Sequence, residues 1–499
     1  MTRPPARSVR RTAARRWRPV LTATAAAVLL AACDSGTGDA LQDRTTASTA
    51  VMSPSSVSET APRSTSSSVS ASVSSSLDGR STGASAPTAT ASPPPSPEPT
   101  PTAAPTPEPD PDGPGPITAD DLRAATELVA GMTDEERAGA VIMANSAHAV
   151  GTDLVARLHL GGVILMGSRG VVDGTTGGTP AQVRAVTDAV QAQVLAGRPP
   201  ALIATDQEYG TVARLVNGFT AFPGADELGA VDDLATAAEL TRQTAAAAAA
   251  ELRAVGITVD FAPVADVLPV SGASSIGDRS YGTDPDRVAA LTAAAVIGYQ
   301  SGGVAATVKH FPGIGSLAAD THQTLPTLGQ DCAQWNEHER PPFRAAVDAG
   351  VAMVMTGHVR LPAVDGALGP TSLSPRVVTQ LLRGTGDVAG CQGLGYGGIA
   401  VSDALEMDPV ADRYDSAAAA VQALSAGQDL LLMPVDPEAA HQGVVTAVRD
   451  GSLDPARLAE AATRVTALRI AGARTPQPGL EVVGSAEHQA LVDRVDAAA

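Results

Sequence analysis

The sequence predicts a single (β/α)8 barrel preceded by a disordered linker, and three observations carry that reading. Eight apolar runs of strand length recur after residue 117. Stretches with helix start and stop signals separate them. Chemically useful polar residues fall after the runs, at the carboxyl ends of the expected strands. Strands covered on both faces read as continuous apolar runs, and their alternation with helices is the pattern of a parallel barrel. A doubly wound open sheet is the alternative. Reactive residues recurring at the ends of several strands argue against it, because that is where barrel chemistry sits.

The chain has 499 residues, and the first 116 do not read as folded. Residues 1–20 hold seven arginines and no acid, and "LTATAAAVLLAAC" follows. A basic start and a short apolar run ending in small residues form an export signal, too short for a permanent membrane span. "LAAC", Leu30 to Cys33, resembles a bacterial lipobox, in which Cys33 becomes the lipidated first residue once residues 1–32 are removed. A plain signal cut near Ala32 is the alternative. Arginine pairs at 10–11 and 15–16 leave a twin-arginine export route open. The expected location is the outer face of the cell membrane, with a lipid anchor as the only membrane contact. Cleavage removes seven positive charges and no negative ones, so the formal charge goes from −19 to −26. A nucleic-acid partner needs a basic face, which this chain lacks.

Residues 33–116 form the expected lipidated cysteine and linker. They are rich in Ser, Thr, Pro and Ala, as in "STSSSVSASVSSS" and "PTPEPDPDGPGP". With little to bury, such a segment cannot offset its ordering entropy, and its Pro-rich half reads as an extended stalk. The barrel is expected over residues 117–475, with a tail at 476–499. "MTDEERAGAVIMA" opens with a capping box, Thr133 and Glu136. The strand runs are "AVIMA" (140–144), "GGVILMG" (161–167), "ALIAT" (201–205), "ITVDF" (257–261), "VAATV" (304–308), "VAMVM" (351–355), "GIAVS" (398–402) and "DLLLM" (429–433). Between them, "TPAQVRAVTDAVQAQVLAG" has a Thr179 cap, Pro180 at the first helical position and Gly197 past its end. "DDLATAAELTRQTAAAAAAELRAVG" closes at Gly256. Cys332 and Cys391 are either a disulfide, suited to an exported protein, or two buried thiols.

Asp206 follows "ALIAT", Arg279 lies in the loop after "ITVDF", Lys309 and His310 follow "VAATV", and Asp403 follows "GIAVS". Lys309 is the one lysine among 34 basic residues. A lysine is a compact charge with rotatable donors, whereas arginine is a wide planar fork. A chain that otherwise uses arginine keeps lysine where the fork does not fit. Asp266 reads as a residue that shapes its loop, and His358 as a buried, hydrogen-bonded histidine. No His/Cys/Asp cluster has metal spacing, and no Gly-rich phosphate loop or dinucleotide fingerprint follows a strand, so no cofactor or metal is expected.

In order, "ATDQEYGTVARL", "DFAPVADV", "SSIGDRSYG", "VKHFPGIGSLAADTHQTLP", "GPTSLSPRVVTQLL" and "AVSDALEM" resemble the glycoside hydrolase family 3 catalytic domain, most closely its β-N-acetylhexosaminidase branch. The resemblance covers roughly residues 120–470. The KHFPG…DTH element is specific for that branch. No second α/β-sandwich domain follows, as it does in many β-glucosidases of the family. The resemblance implies a retaining two-step displacement through a covalent glycosyl-enzyme. It makes Asp403 the nucleophile, His322 an unusual general acid/base and Asp320 its orienting partner. It places Asp206, Arg214, Arg279, Lys309 and His310 around the sugar, although an arginine such as Arg214 is often a structural ion pair. The sequence departs from the branch pattern at Tyr209, where glycine is usual and a subsite wall is at stake. It departs also at Ala404 and Ile314, where aspartate and histidine are frequent.

Chemistry supports these roles separately. A glycosidase needs a nucleophile and a proton donor on opposite sides of the scissile bond. Histidine, with an unperturbed pKa of about 6.5, is suited to passing a proton at neutral pH. A neighbouring carboxylate fixes its tautomer and stabilises the imidazolium. Asp320 and His322 are two apart, so an extended loop would put them on one face. The small residues of "GIGSLAAD" before them suggest a loop that closes over substrate. The expected protein is a monomeric, lipid-anchored exo-β-N-acetylglucosaminidase acting on GlcNAc-containing oligosaccharides such as muropeptide fragments or chitooligosaccharides. A β-glucosidase, a GlcNAc phosphorylase and a non-catalytic sugar-binding lipoprotein are the rivals.

Overall fold

The computed structural model describes residues 115–366 and 369–499. The expected export signal, Cys33 and the linker up to residue 114 lie outside the described residues. Eight parallel strands appear where the apolar runs predict them: β1 Ile142–Asn145, β2 Gly162–Ile164, β3 Leu202–Thr205, β4 Val259–Asp260, β5 Ala305–Phe311, β6 Met353–Thr356, β7 Ile399–Ser402 and β8 Leu431–Leu432. Each pairs with its neighbour in sequence, and β8 returns to β1 through Ile142–Leu431. A Val401–Leu430 bridge joins β7 to β8 and closes the ring.

The strands read as unbroken apolar runs because both faces are covered. Met143, Ile164, Leu202, Ala204, Val259, Met353, Ile399 and Val401 fill the barrel interior. Ile142, Ala144, Val163, Ile203, Val354 and Ala400 pack outward against the helices. The pleat has period two. Asp206 therefore continues the inward line of Leu202 and Ala204, and Asp403 that of Ile399 and Val401. Lys309 continues the line of Ala305. Lys309 and His310 themselves lie within β5, which runs past the predicted end at residue 308.

The covering helices are α1 Ala119–Ala130, α2 Asp134–Ala140, α3 Pro180–Gln191, α4 Leu234–Ala254, α5 Pro285–Ser301, α6 Arg340–Asp348, α7 Ser416–Ala426, α8 Pro437–Asp450 and α9 Pro455–Arg474. An eight-residue π-helix, Arg376–Arg383, packs between β6 and β7 in the chain. The capping box of α2 forms as predicted: Glu136 N donates to Thr133 Oγ1, and Thr133 N to Glu136 Oε2. α3 stops at Gln191, short of Gly197, because the Gln191 amide bonds both N–H and C=O of Ala201 and turns the chain towards β3. The last residues include a further helix, α10 Ala486–Asp496, held to α4 through His488 and Glu251 (2.7 Å).

The seam between β7 and β8 is locked by charge. Asp429 is fully buried and pairs with Arg383, Arg457 and Arg464. Burial opposes its charge, but the three guanidinium groups hold its carboxyl down at about 2.

Cys332 and Cys391 form a disulfide across 59 residues of chain. It ties the short helix Cys332–His338 to the hairpin 387–392 on the outside of the barrel. Closing a loop of that length restricts the unfolded chain by up to about 4 kcal/mol on the chain-entropy model. The double variant Cys332→Ala/Cys391→Ala is expected to lose about 2–4 kcal/mol of unfolding free energy, measured by urea denaturation.

Candidate active site

The carboxyl ends of the strands gather the predicted residues around one lysine. Lys309 is 2% exposed. Its Nζ donates to Asp206 Oδ1 at 2.9 Å and to Glu208 Oε1 at 2.6 Å. Burial opposes a charge on Lys309, but Asp206 and Glu208 outweigh it and hold the ammonium above its ordinary value. Glu208 also takes a two-pronged bond from Arg279, Nε at 2.7 Å and Nη2 at 2.9 Å. Burial again works against ionisation, yet Lys309 and Arg279 bring the Glu208 carboxyl down to about 2.

Glu208 was not among the expected site residues. It stands two positions after Asp206 in "DQEYG", and that spacing was the available signal. Asp206 itself lies between Lys309 and Arg214, whose Nη2 is 3.7 Å away and whose Nη1 donates to Gly167 O at 3.2 Å. Asp260, also buried, accepts from Gln207 N at 2.9 Å. Burial pushes its carboxyl well above the usual range, with the neighbouring Asp206 and Glu208 adding to the rise.

His310 is oriented by Asp266. The Asp266 Oδ2 lies 2.7 Å from Nδ1, and Oδ1 accepts from Ile314 N at 2.7 Å. Asp266 therefore shapes its loop, as expected, and also sets the histidine, which sequence reasoning missed. With Nδ1 carrying its hydrogen towards the carboxylate, Nε2 faces Arg279 Nη2 at 3.5 Å. His358 is buried between Ser372 Oγ (2.7 Å) and Ala404 O (3.0 Å), as the sequence suggested.

Asp403 follows β7, anchored by its own N–H to Thr356 O at 2.9 Å. Its Oδ1 accepts from Ala404 N at 2.8 Å. Burial opposes ionisation here too, but His310, His358 and the Ala404 N–H hold the carboxyl below its ordinary value. Asp320 and His322 meet: Oδ1 accepts from His322 N at 2.9 Å and lies 2.8 Å from Nδ1. The contact arises from a turn in which Gln323 N and Thr324 N bond back to Asp320 O, not from the extended loop expected. The Asp320 carboxyl is held below its usual range by the backbone N–H and then the ring of His322. His322 Nε2 remains free, and the side chain is 68% exposed. Asp408 N donates to His322 O at 3.1 Å, tying this turn to the segment after Asp403.

The first half of the "GIGSLAAD" loop is packed. Ile314 is buried with Val264, Ile276 and Val359. Gly315 lies so near Val267 that a Cβ would sit 2.2 Å from its carbonyl oxygen. Only residues 318–320 and 322–324 are exposed, so any closure is confined to the turn carrying His322. Tyr209 adopts φ +65°, the left-handed region that favours glycine. Its ring is buried edge-on against Phe222 at 5.3 Å, and it lines a pocket together with Glu208 and Arg279.

The family profile described as the glycosyl hydrolase family 3 N-terminal domain matches residues 132–468. The chain belongs to glycosyl hydrolase family 3. It is a glycoside hydrolase. A β-hexosaminidase of Methylobacillus flagellatus is 35% identical over 266 residues, covering 53% of this chain and 72% of that protein. A β-hexosaminidase of Bordetella avium is 39% identical over 264 residues, covering 52% and 71%. Among solved structures, a family 3 β-N-acetylglucosaminidase from Paenibacillus sp. str. FPU-7 has 35% identity and a TM-score of 0.65, covering 74% of this chain and 69% of that one. A β-N-acetylhexosaminidase from Beutenbergia cavernae has 31% identity and a TM-score of 0.58, covering 68% and 99%.

Two outcomes test the charge cluster of this family 3 site. Glu208→Gln leaves Lys309 and Arg279 without their shared carboxylate, and breaking a buried pair in this way costs about 3–5 kcal/mol. Because the folded Glu208 value is depressed from 4.5 to about 2, its contribution is full above 4.5 and fades as pH falls towards 2. The melting-temperature gap between wild type and Glu208→Gln should therefore be constant near neutrality and narrow below pH 4.5 in a calorimetric series. Lys309→Arg should act as a non-conservative change, lowering kcat/KM by about tenfold or more, since a longer planar fork does not reproduce the 2.6 and 2.9 Å contacts that the compact ammonium makes at this buried position. Wild-type kinetics would refute that account.

Proposed function

We propose that the protein is a retaining exo-β-N-acetylglucosaminidase. The carrying observation is an ionised Asp403 whose following segment is tied, through Asp408 N and His322 O, to a histidine oriented by Asp320. A carboxylate held in its charged form suits a nucleophile. A histidine whose Nδ1 is engaged by a carboxylate keeps Nε2 free to give a proton to the leaving oxygen and later take one from water. Asp206, Lys309, Arg279, Arg214 and His310 would hold the hydroxyls of the terminal sugar. In this mechanism Asp403 attacks the anomeric carbon while His322 protonates the departing oxygen. Water, deprotonated by His322, then releases the sugar with its configuration retained.

The similarity to β-hexosaminidases and to a β-N-acetylglucosaminidase supports a terminal GlcNAc as the sugar removed. The export signal and Cys33 support a substrate outside the membrane, such as cell-wall fragments, reached from a lipid anchor. Hydrolysis is favoured over phosphorolysis on one count. The cations Lys309 and Arg279, which would attract phosphate, are already matched by Asp206 and Glu208.

The test joins trapping to leaving-group dependence. A 2-fluoro sugar analogue that traps glycosyl-enzymes should label the peptide containing Asp403, and Asp403→Ala should remove turnover. His322→Ala should slow substrates with poor leaving groups by about 10²-fold or more and activated aryl glycosides much less. Asp320→Ala should follow the same pattern, and the double variant should lose little more. An inverted product, or uniform loss on all leaving groups, would overturn the mechanism. A panel of aryl β-glycosides separates GlcNAc from glucose specificity.

A further inference from the structure

Among the described residues, the buried arginines Arg383 and Arg464 meet Asp429, and the half-buried Arg279 meets Glu208. Arg253 and Arg469 do not meet a carboxylate. They are 5% and 6% exposed and donate only to backbone carbonyls. Arg253 Nη2 bonds Thr475 O at 2.6 Å and Gly472 O at 3.3 Å. Arg469 bonds Pro200 O at 2.9 Å and Pro199 O at 2.6 Å. The Nε of Arg253 is buried with no partner in the structure. Carbonyl dipoles satisfy donors but do not cancel a charge, and an uncompensated buried charge is costly.

Both arginines line one cavity of about 310 Å³. Leu202 and Thr258, at the starts of β3 and β4, are part of its wall, so it opens at the amino-terminal end of the barrel, away from Asp403. The carboxylate on its lining belongs to Asp188, which is exposed and engaged by Arg184 at 2.8 Å. Burial lowers the Arg253 pKa, and burial together with Arg198 brings Arg469 down to about 10; no carboxylate raises either. The space is large enough for a small ligand.

We propose that this cavity binds a small oxyanion, a phosphate or carboxylate group, against Arg253 and Arg469. Planar guanidinium forks match such groups, and the low-dielectric site strengthens the contact. The site is separate from the sugar-binding end of the barrel, and its existence does not depend on which sugar that end accepts.

Gly472 offers a test that does not weaken the fold. A Cβ added there meets nothing within 4 Å. Gly472→Glu would place a carboxylate at the cavity and supply the missing charge internally, whereas Gly472→Gln has the same shape without it. Sodium phosphate and sodium acetate would each be titrated calorimetrically at matched ionic strength, with saturating GlcNAc occupying the catalytic end. Wild type and Gly472→Gln are expected to bind one anion, and the better ligand identifies the oxyanion class. Gly472→Glu and Arg253→Met are each expected to lose about tenfold or more in affinity. No binding of either anion to wild type would overturn the proposal. So would equal affinity in the Glu and Gln variants, or binding that vanishes when GlcNAc is added.

Discussion

The contact on which the candidate site rests is the buried ammonium of Lys309 held between Asp206 and Glu208. It joins the end of β5 to the segment after β3 across the barrel mouth. A charge at that depth persists only because two carboxylates meet it at hydrogen-bond distance. Glu208 in turn anchors Arg279 from the loop after β4, and Arg279 approaches His310. One ion cluster thus fixes three consecutive strand ends in a single geometry.

The charges within this cluster largely cancel, which matters for the chemistry beside it. Asp206 and Glu208 answer Lys309 and Arg279, while burial works against a charge on Asp260. Asp403 is then governed by the histidines and by the N–H of its neighbour Ala404, and these keep it ionised despite its depth. His322 sits on an exposed turn, with freedom that the buried residues lack. The site therefore combines a buried floor of paired charges with a histidine on a surface turn, the proton donor of the proposed mechanism. That division is consistent with one group that must hold its position and another that must reach a leaving oxygen and then a water.

Much of this was legible in the sequence for identifiable reasons. The eight strands could be found because both barrel faces are covered, so each strand is a short apolar run bounded by helix signals. The reactive residues could be found because the period-two pleat carries the inward line of a strand one step past its end. Glu208 and Asp266 were missed as site residues for a shared reason. Each acts on a partner far away in the chain, Lys309 at 101 positions and His310 at 44. Local pattern holds no record of that encounter. The left-handed backbone of Tyr209 was not legible either, because a sequence does not tell which way a side chain turns there.

By itself the sequence determined the barrel, the order of its strands and the residues placed at their carboxyl ends. These follow from hydrophobic periodicity and helix caps, which act over a few neighbouring residues. Only the tertiary structure decided which charges meet, that Cys332 and Cys391 join, that the Asp320–His322 contact is made by a turn, and that Arg253 and Arg469 line one cavity without pairing to a carboxylate. Those outcomes depend on distances between segments far apart in the chain. Electrostatic pairing at depth is set by such distances and by burial, neither of which any local stretch of sequence encodes.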